Sequence, residues 1–209
     1  MKERMAFSRC NDKYKKEINN LLVRYGRRDK QTIVLDGGKA ESSKTFIKNG
    51  FKANTIHIPN SSKDFKYIKH TYRNQREKPN IVECWLNELI DKWKVKYSVG
   101  LAYFDYMCTL DGNEECKPIN DINSLFDKKL LADGSCLAIT ISVHNSRKSK
   151  SIFKHQDFLG LLNVVSNASL KNGYTIEILK GAGLYRMSMW TILFKVYKTS
   201  PALFRTHIE

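Results

Sequence analysis

The sequence predicts an α/β domain whose sheet is mostly parallel and closes on a C-terminal antiparallel β-hairpin strand. Three observations predict it. Short apolar or β-branched runs alternate with amphipathic helical stretches five times along the chain, and right-handed crossovers turn such alternation into parallel strands. The first run, Thr32 to Leu35, breaks off at Asp36-Gly37-Gly38 and passes directly into helical spacing, a strand, a tight turn and a helix start. The last two runs, Y-T-I-E-I-L and M-W-T-I-L-F-K-V-Y, are joined only by K-G-A-G-L-Y-R, which pairs them as antiparallel neighbours.

Taken in order, Ile18, Leu21, Leu22 and Tyr25 fall at helical spacing and end at Gly26, with Lys13, Lys15 and Lys16 expected on the outer face of this N-terminal helix. After the opening strand and its helix, Gly50 closes the helix and Ile56 and Ile58 begin a second strand that Pro59 stops. Phe65, Ile68 and Tyr72 share the face of the next helix, and R-N-Q-R-E-K-P makes a basic turn. Asn80 to Trp85 is the third strand and L-N-E-L-I-D-K-W a short helix. Tyr97 to Phe104 is largely apolar, as a strand buried on both faces is, and terminates at Asp105. Ile119 to Leu131 is helical, Asp133-Gly134 turns into the strand S-C-L-A-I-T-I-S-V, and a basic loop, H-N-S-R-K-S-K-S, leads to the helix His155 to Leu170.

The totals bound the function. At 209 residues one domain suffices. Thirty-six Lys and Arg against 21 Asp and Glu leave a net charge of +15, spread along the chain, which favours a polyanion and first of all nucleic acid. Biased codon usage and lysines kept for solubility are the plain alternative. The cysteines, Cys10, Cys84, Cys108, Cys116 and Cys136, are odd in number, widely separated and without a C-x-x-C pair. They argue against a disulfide framework and a zinc site, and for a reducing compartment. With no apolar run near the ~20 residues that span a bilayer and no signal-peptide core, the expectation is a soluble intracellular protein, cytoplasmic or nuclear, without a membrane partner.

Asp36-Gly37-Gly38 after the first strand, an acid after the fourth and a hairpin at the end resemble the class I S-adenosylmethionine-dependent methyltransferases from about Thr32 onward. The resemblance implies a three-layer Rossmann-like methyltransferase fold with a seven-stranded sheet over residues 31–209, preceded by a helical segment over 1–30. It implies S-adenosylmethionine as cofactor. The family's first turn is acidic-x-Gly-x-Gly-x-Gly; here Asp36 and Gly38 match, while Ala40 and Ser42 replace the later glycines. The resemblance thereby assigns cofactor contacts to Asp36, Gly37 and Gly38, to Asn60 where the family has a ribose-binding carboxylate, and to Glu83 and Cys84 beside Trp85 at the adenine. Asp105 and Tyr106 stand at the catalytic position. The Asp/Asn-Pro-Pro-aromatic signature of amino methylation is absent, as is the Pro-Cys pair of cytosine C5 enzymes. The lysine-aspartate-lysine-glutamate set of sugar 2′-O-methyltransferases finds partial counterparts in Lys15 or Lys16, Asp105, Lys148 and Glu177.

The resemblance, with the net charge, implies methyl transfer to nucleic acid, RNA before DNA, with the acceptor oriented or deprotonated by Asp105. Arg147, Lys148, Lys150 and Lys154, with Arg73 and Arg76, are the expected phosphate contacts. Two other readings stand beside this one: a methyltransferase-like module that binds nucleic acid without chemistry, and a phosphate loop running G-x-x-x-x-S-K-T from Gly38 to Thr45. Each assigned residue also has an ordinary use. Asp36 and Asp105 can cap turns, Trp85 and Trp93 can be core aromatics, Glu177 can face solvent, and His144 and His155 need be neither ligand nor base.

Overall fold

The computed structural model of the chain describes residues 13–60, 62–114, 116–142, 152–179, 184–186 and 189–199. Helix α1 (Lys13–Tyr25) leads into strand β1 (Gln31–Val34), then α2 (Glu41–Lys48), a 3-10 turn (Ala53–Thr55) and β2 (Ile56–Asn60). There follow α3 (Ser62–Thr71), β3 (Asn80–Glu83), α4 (Leu86–Lys92), β4 (Val99–Asp105), α5 (Pro118–Asp127) and β5 (Leu131–Ser142). Helix α6 (Ile152–Lys171) and strands β6 (Tyr174–Ile178), β7 (Leu184–Arg186) and β8 (Met189–Lys198) complete the order.

The strands are arranged β3-β2-β1-β4-β5-β8-β6, with β7 also on β8. β1 to β5 are parallel to their neighbours, and β8 enters antiparallel beside β5. β6 pairs with Phe194 to Lys198 and β7 with Met189 to Thr191, so the two share one row beyond β8. The sheet therefore has the seven rows that the resemblance implies, ending in the antiparallel hairpin.

Period-two alternation explains the three layers. Leu101 and Tyr103 of β4, with Cys136 and Ala138 of β5, pack against Ile18 and Leu22 of α1, Phe46 of α2 and Ile68 of α3. The intervening Ala102, Phe104, Leu137 and Ile139 pack on the opposite face against α4, α5 and α6. Both faces of β4 are thus dry, and its apolar run follows from that. Truncating such a side chain costs on the order of 3–5 kcal/mol for a phenylalanine. Gly100 marks a close approach: a Cβ there would stand 2.6 Å from the Cβ atoms of Arg27 and Lys30, on the segment that joins α1 to β1.

Three expectations are corrected. Asp133-Gly134 does not turn into β5 but lies within it, where Gly134 has φ +65° and the pairing with β4 shifts, because a bulge absorbs the extra residues without ending the strand. Lys15 is not on the outer face of α1 but points under it. Cys108 and Cys116 are disulfide-bonded, since the loop after β4 folds back on itself, whereas Cys84 and Cys136 are free and buried. Among the described residues no helix is long and apolar enough to cross a membrane.

Candidate functional site

Loops that follow parallel strands all emerge at the carboxyl edge of the sheet, and a cavity of about 890 Å³ opens there. Its floor is the ends of β1, β4 and β5, one wall is formed by the ends of β2 and β3, and α1 and the loop after β4 lean over it.

At the end of β1 the chain turns through Asp36 and Gly37, both on the cavity wall. Ala40 sits at the helix N-cap with φ 52° and ψ 43°, a left-handed conformation that non-glycine residues seldom adopt. This places the Ser42 and Ser43 amides toward Asp36, whose carboxylate accepts them at 3.4 and 2.8 Å, and the Ser43 hydroxyl at 2.7 Å. Ser43 Oγ is in turn 2.7 Å from the hydroxyl of Tyr72. Burial pushes the Asp36 carboxyl above the usual carboxylate range, opposed by the charge of Lys15 and by these serine donors. The positive end of α2 is thereby satisfied from within the protein, and it is not open to an external anion.

That arrangement overturns the phosphate-loop reading. Asp36 fills the place a phosphate needs, Lys44 is exposed within α2, and Thr45 donates its hydroxyl to the Glu41 carbonyl at 2.8 Å. Gly38 is outside the cavity wall and faces α3; a Cβ there would stand 3.1 Å from Tyr67 Cβ.

Asn60, the last residue of β2, lines the cavity and donates its amide to the Asp36 carbonyl at 3.0 Å, leaving its side-chain oxygen as an acceptor. Asp64 of α3 stands on the same wall and was not singled out by the sequence. Its place in the first turn of the helix after β2 was the available signal. At the end of β3, Cys84 lines the cavity together with Trp85 and Leu86, whereas Glu83 is exposed and outside the wall because alternation turns it away. Burial raises the Cys84 thiol pKa. Trp85 is 41% exposed, a rim residue and not a core aromatic.

At the end of β4 the Lys15 ammonium donates to Asp105 Oδ2 and, at 3.1 Å, to the Tyr103 hydroxyl, lying 4.6 Å from that ring's centre. Burial opposes the charge on Lys15, but the Tyr103 hydroxyl and the Asp105 and Asp36 carboxylates outweigh it, so the pKa rises and the ammonium persists. Burial, with Asp105, pushes Tyr103 up to about 12. Lys15 precedes Ile18 by three residues and Leu22 by seven, which puts it on the apolar face of α1. That spacing was the signal for its inward position.

Tyr106 is buried and donates its hydroxyl to Asp121 of α5 at 2.9 Å. Burial pushes Asp121 up to about 6 and holds Tyr106 well above its ordinary value, so the Tyr106 phenol keeps its proton. The Thr140 and Thr191 hydroxyls, 2.9 Å apart, join β5 to β8 across the floor.

Of the expected phosphate contacts, only the Arg73 and Arg76 side chains are among those described. Arg147, Lys148 and Lys150 lie outside the described residues, as does the side chain of Lys154 in the first turn of α6. Arg73 and Arg76 are exposed between α3 and β3, and a segment that enters a parallel strand lies at the amino edge, opposite the cavity. Glu177 is exposed on the outer strand β6, where it accepts the Tyr197 hydroxyl at 3.2 Å. Of the four-residue sugar-methylation set, the structure brings together Lys15 and Asp105 and leaves Glu177 outside.

No protein-family model and no curated protein sequence matches the chain. Solved structures do resemble it. Over 90% of its length it superposes on a Pyrococcus horikoshii protein assigned as a transferase, with TM-score 0.58 and 10% identity. It superposes over 88% on a Clostridium thermocellum protein assigned as an rRNA-methylase, at 0.62 and 6%, and over 88% on Trm1 from Pyrococcus horikoshii with S-adenosyl-L-methionine, at 0.63 and 10%. The chain spans 65%, 98% and 54% of these three proteins. The fold is that of the class I Rossmann-like methyltransferases.

Proposed function

We propose that the chain is an S-adenosylmethionine-dependent methyltransferase acting on RNA. The observation that carries this reading is the cavity itself: about 890 Å³ at the carboxyl edge, bounded by the Asp36-Gly37 turn, Asn60 and the Lys15–Asp105 pair, on a methyltransferase fold. Its lining suits a nucleoside. The Asn60 side-chain oxygen and the Asp64 carboxylate offer two acceptors for ribose hydroxyls, Gly37 leaves room beside the β1 turn, and Cys84, Trp85 and Leu86 give an apolar cup for a base. Such a cofactor, when bound, supplies a methyl group already activated on a sulfonium.

The chain's own task is then positioning. Lys15 fixes the Asp105 carboxylate at the end of β4, and Asp105 orients the acceptor by accepting its hydrogen. Tyr106, locked to Asp121, holds the turn that presents Asp105. The RNA-directed part of the reading is supported by the +15 charge and by the likeness to the Clostridium thermocellum protein.

One observation favours a module that has lost its chemistry: the end of α2 is already satisfied by Asp36, and Ala40 and Ser42 stand where the family has glycine. Calorimetry with S-adenosylmethionine and S-adenosylhomocysteine separates the two. Micromolar binding is expected for the enzyme, and no heat at millimolar ligand removes the methyltransferase reading.

A further inference from the structure

A second concavity, of about 450 Å³, lies between α1 and α2 and shares Lys15, Lys39 and Glu41 with the main cavity, so that one groove runs over the helices and into the site. Its lining carries four lysines, Lys15, Lys16, Lys39 and Lys44, against the single carboxylate of Glu41. Lys15 is engaged by Asp105; Lys16 and Lys44 are exposed toward solvent. An independent observation marks the floor. Asn19 lines this groove, is only 4% exposed, and its side-chain oxygen has no hydrogen-bond partner. A buried acceptor without a donor is unfavourable, and turning the amide outward to a ligand hydroxyl in the groove relieves it.

We infer that the groove between α1 and α2 binds a ribose-phosphate segment of single-stranded RNA, with phosphates on Lys16, Lys39 and Lys44 and a 2′-hydroxyl donated to Asn19. Lysines serve a flexible backbone as point charges, and the 2′-hydroxyl is the group by which a protein distinguishes RNA from DNA. The groove leads the strand past Lys15 to Asp105. This places the incoming RNA on the α1–α2 side of the cavity. The inference names the substrate track of the proposed enzyme and rests on that reading for its purpose, but it is measured as binding alone.

The test is fluorescence anisotropy with a labelled uridine 12-mer and the matching deoxythymidine 12-mer, without cofactor, over a series of salt concentrations. The wild-type protein is expected to bind RNA at least tenfold more tightly than DNA. In K16E/K44E, exposed changes that leave the fold intact, RNA binding is expected to fall more than tenfold. The slope of log affinity against log salt should then flatten by about 1.4, since each single-strand phosphate contact contributes about 0.7. N19A is expected to bring RNA affinity down to that for DNA. Unchanged RNA binding and salt slope in K16E/K44E overturns the inference, as does equal wild-type affinity for the two oligomers. Loss of phosphatidylserine-vesicle binding in K16E/K44E with RNA binding retained also overturns it, in favour of a membrane surface. Calorimetry with S-adenosylmethionine runs in parallel: RNA binding lost in K16E/K44E without any cofactor binding in the wild type sustains the groove and removes the methyltransferase reading. Cofactor binding with an indifferent K16E/K44E does the reverse.

Discussion

Asp36 and Asp105 follow neighbouring parallel strands and reach the same cavity, yet the protein uses them in opposite ways. Asp36 is turned inward onto its own backbone, taking the Ser42 and Ser43 amides of α2 and the Ser43 hydroxyl, and is 5% exposed. Asp105 meets no helix end. Its carboxylate is held by Lys15 from a helix 90 residues earlier in the chain, and both side chains keep 22% of their surface. The difference is one of local geometry: a tight turn into a helix brings amides back onto the preceding carboxylate, whereas the loop after β4 runs on to Cys116 before its helix begins. One aspartate is therefore architectural, and the other remains available at the cavity.

The largest expected effect is on transfer. Asp105→Asn, which keeps an oxygen to accept from the Lys15 ammonium, should lower the proposed methyl transfer by about 10³-fold, within the range for a positioned acid-base or orienting group, while urea denaturation shows about 1 kcal/mol lost. A stability loss comparable to that of Asp36→Ala would erase the contrast. Asp36→Ala is expected to cost about 3 kcal/mol in the same measurement, because two helix-end amides and a buried hydroxyl lose their acceptor.

A third aspartate sharpens the distinction through pH. Asp121 is raised by burial to about 6 in the folded protein against 3.8 for the free group, so the folded state favours its protonated form. Its stabilising contribution is complete below the unfolded value and is lost as pH rises through about 6, by roughly 2–3 kcal/mol. Asp121→Asn should flatten the stability profile between pH 4 and 7 while keeping a partner for Tyr106; an unchanged profile would show that the carboxyl is not desolvated. Trp85→Ala, at the cavity rim, is expected to weaken S-adenosylmethionine binding about tenfold in calorimetry without altering denaturation. Smallest is Ala40→Gly. It relieves a left-handed alanine but loosens the unfolded chain, and the two offset to within about 1 kcal/mol by thermal unfolding.

Contacts made within a few residues of sequence were legible beforehand. The turn at Asp36, the carboxyl-edge positions of Asn60, Cys84 and Asp105, and the exposed Glu177 could all be read from run lengths and alternation. Glu83 was misplaced by a single step of that alternation. Gly38 was assigned to the cavity from a motif, but the backbone turned it toward Tyr67. Arg73 and Arg76 were chosen for charge, which carries no information about which edge of the sheet a loop occupies.

The sequence by itself determined the order of strands and helices, the parallel sheet with its antiparallel close, and the aspartates at two strand ends, because hydrophobic periodicity and turn chemistry act over neighbouring residues. Only the tertiary structure decided that Lys15 reaches Asp105, that Tyr106 is bound to Asp121, that Cys108 joins Cys116, and that Asn19 lies beneath a lysine-lined groove. Those pairings depend on how α1, α5 and the loop after β4 pack over the sheet edge, and side chains meeting from separate elements leave no periodic trace in the chain.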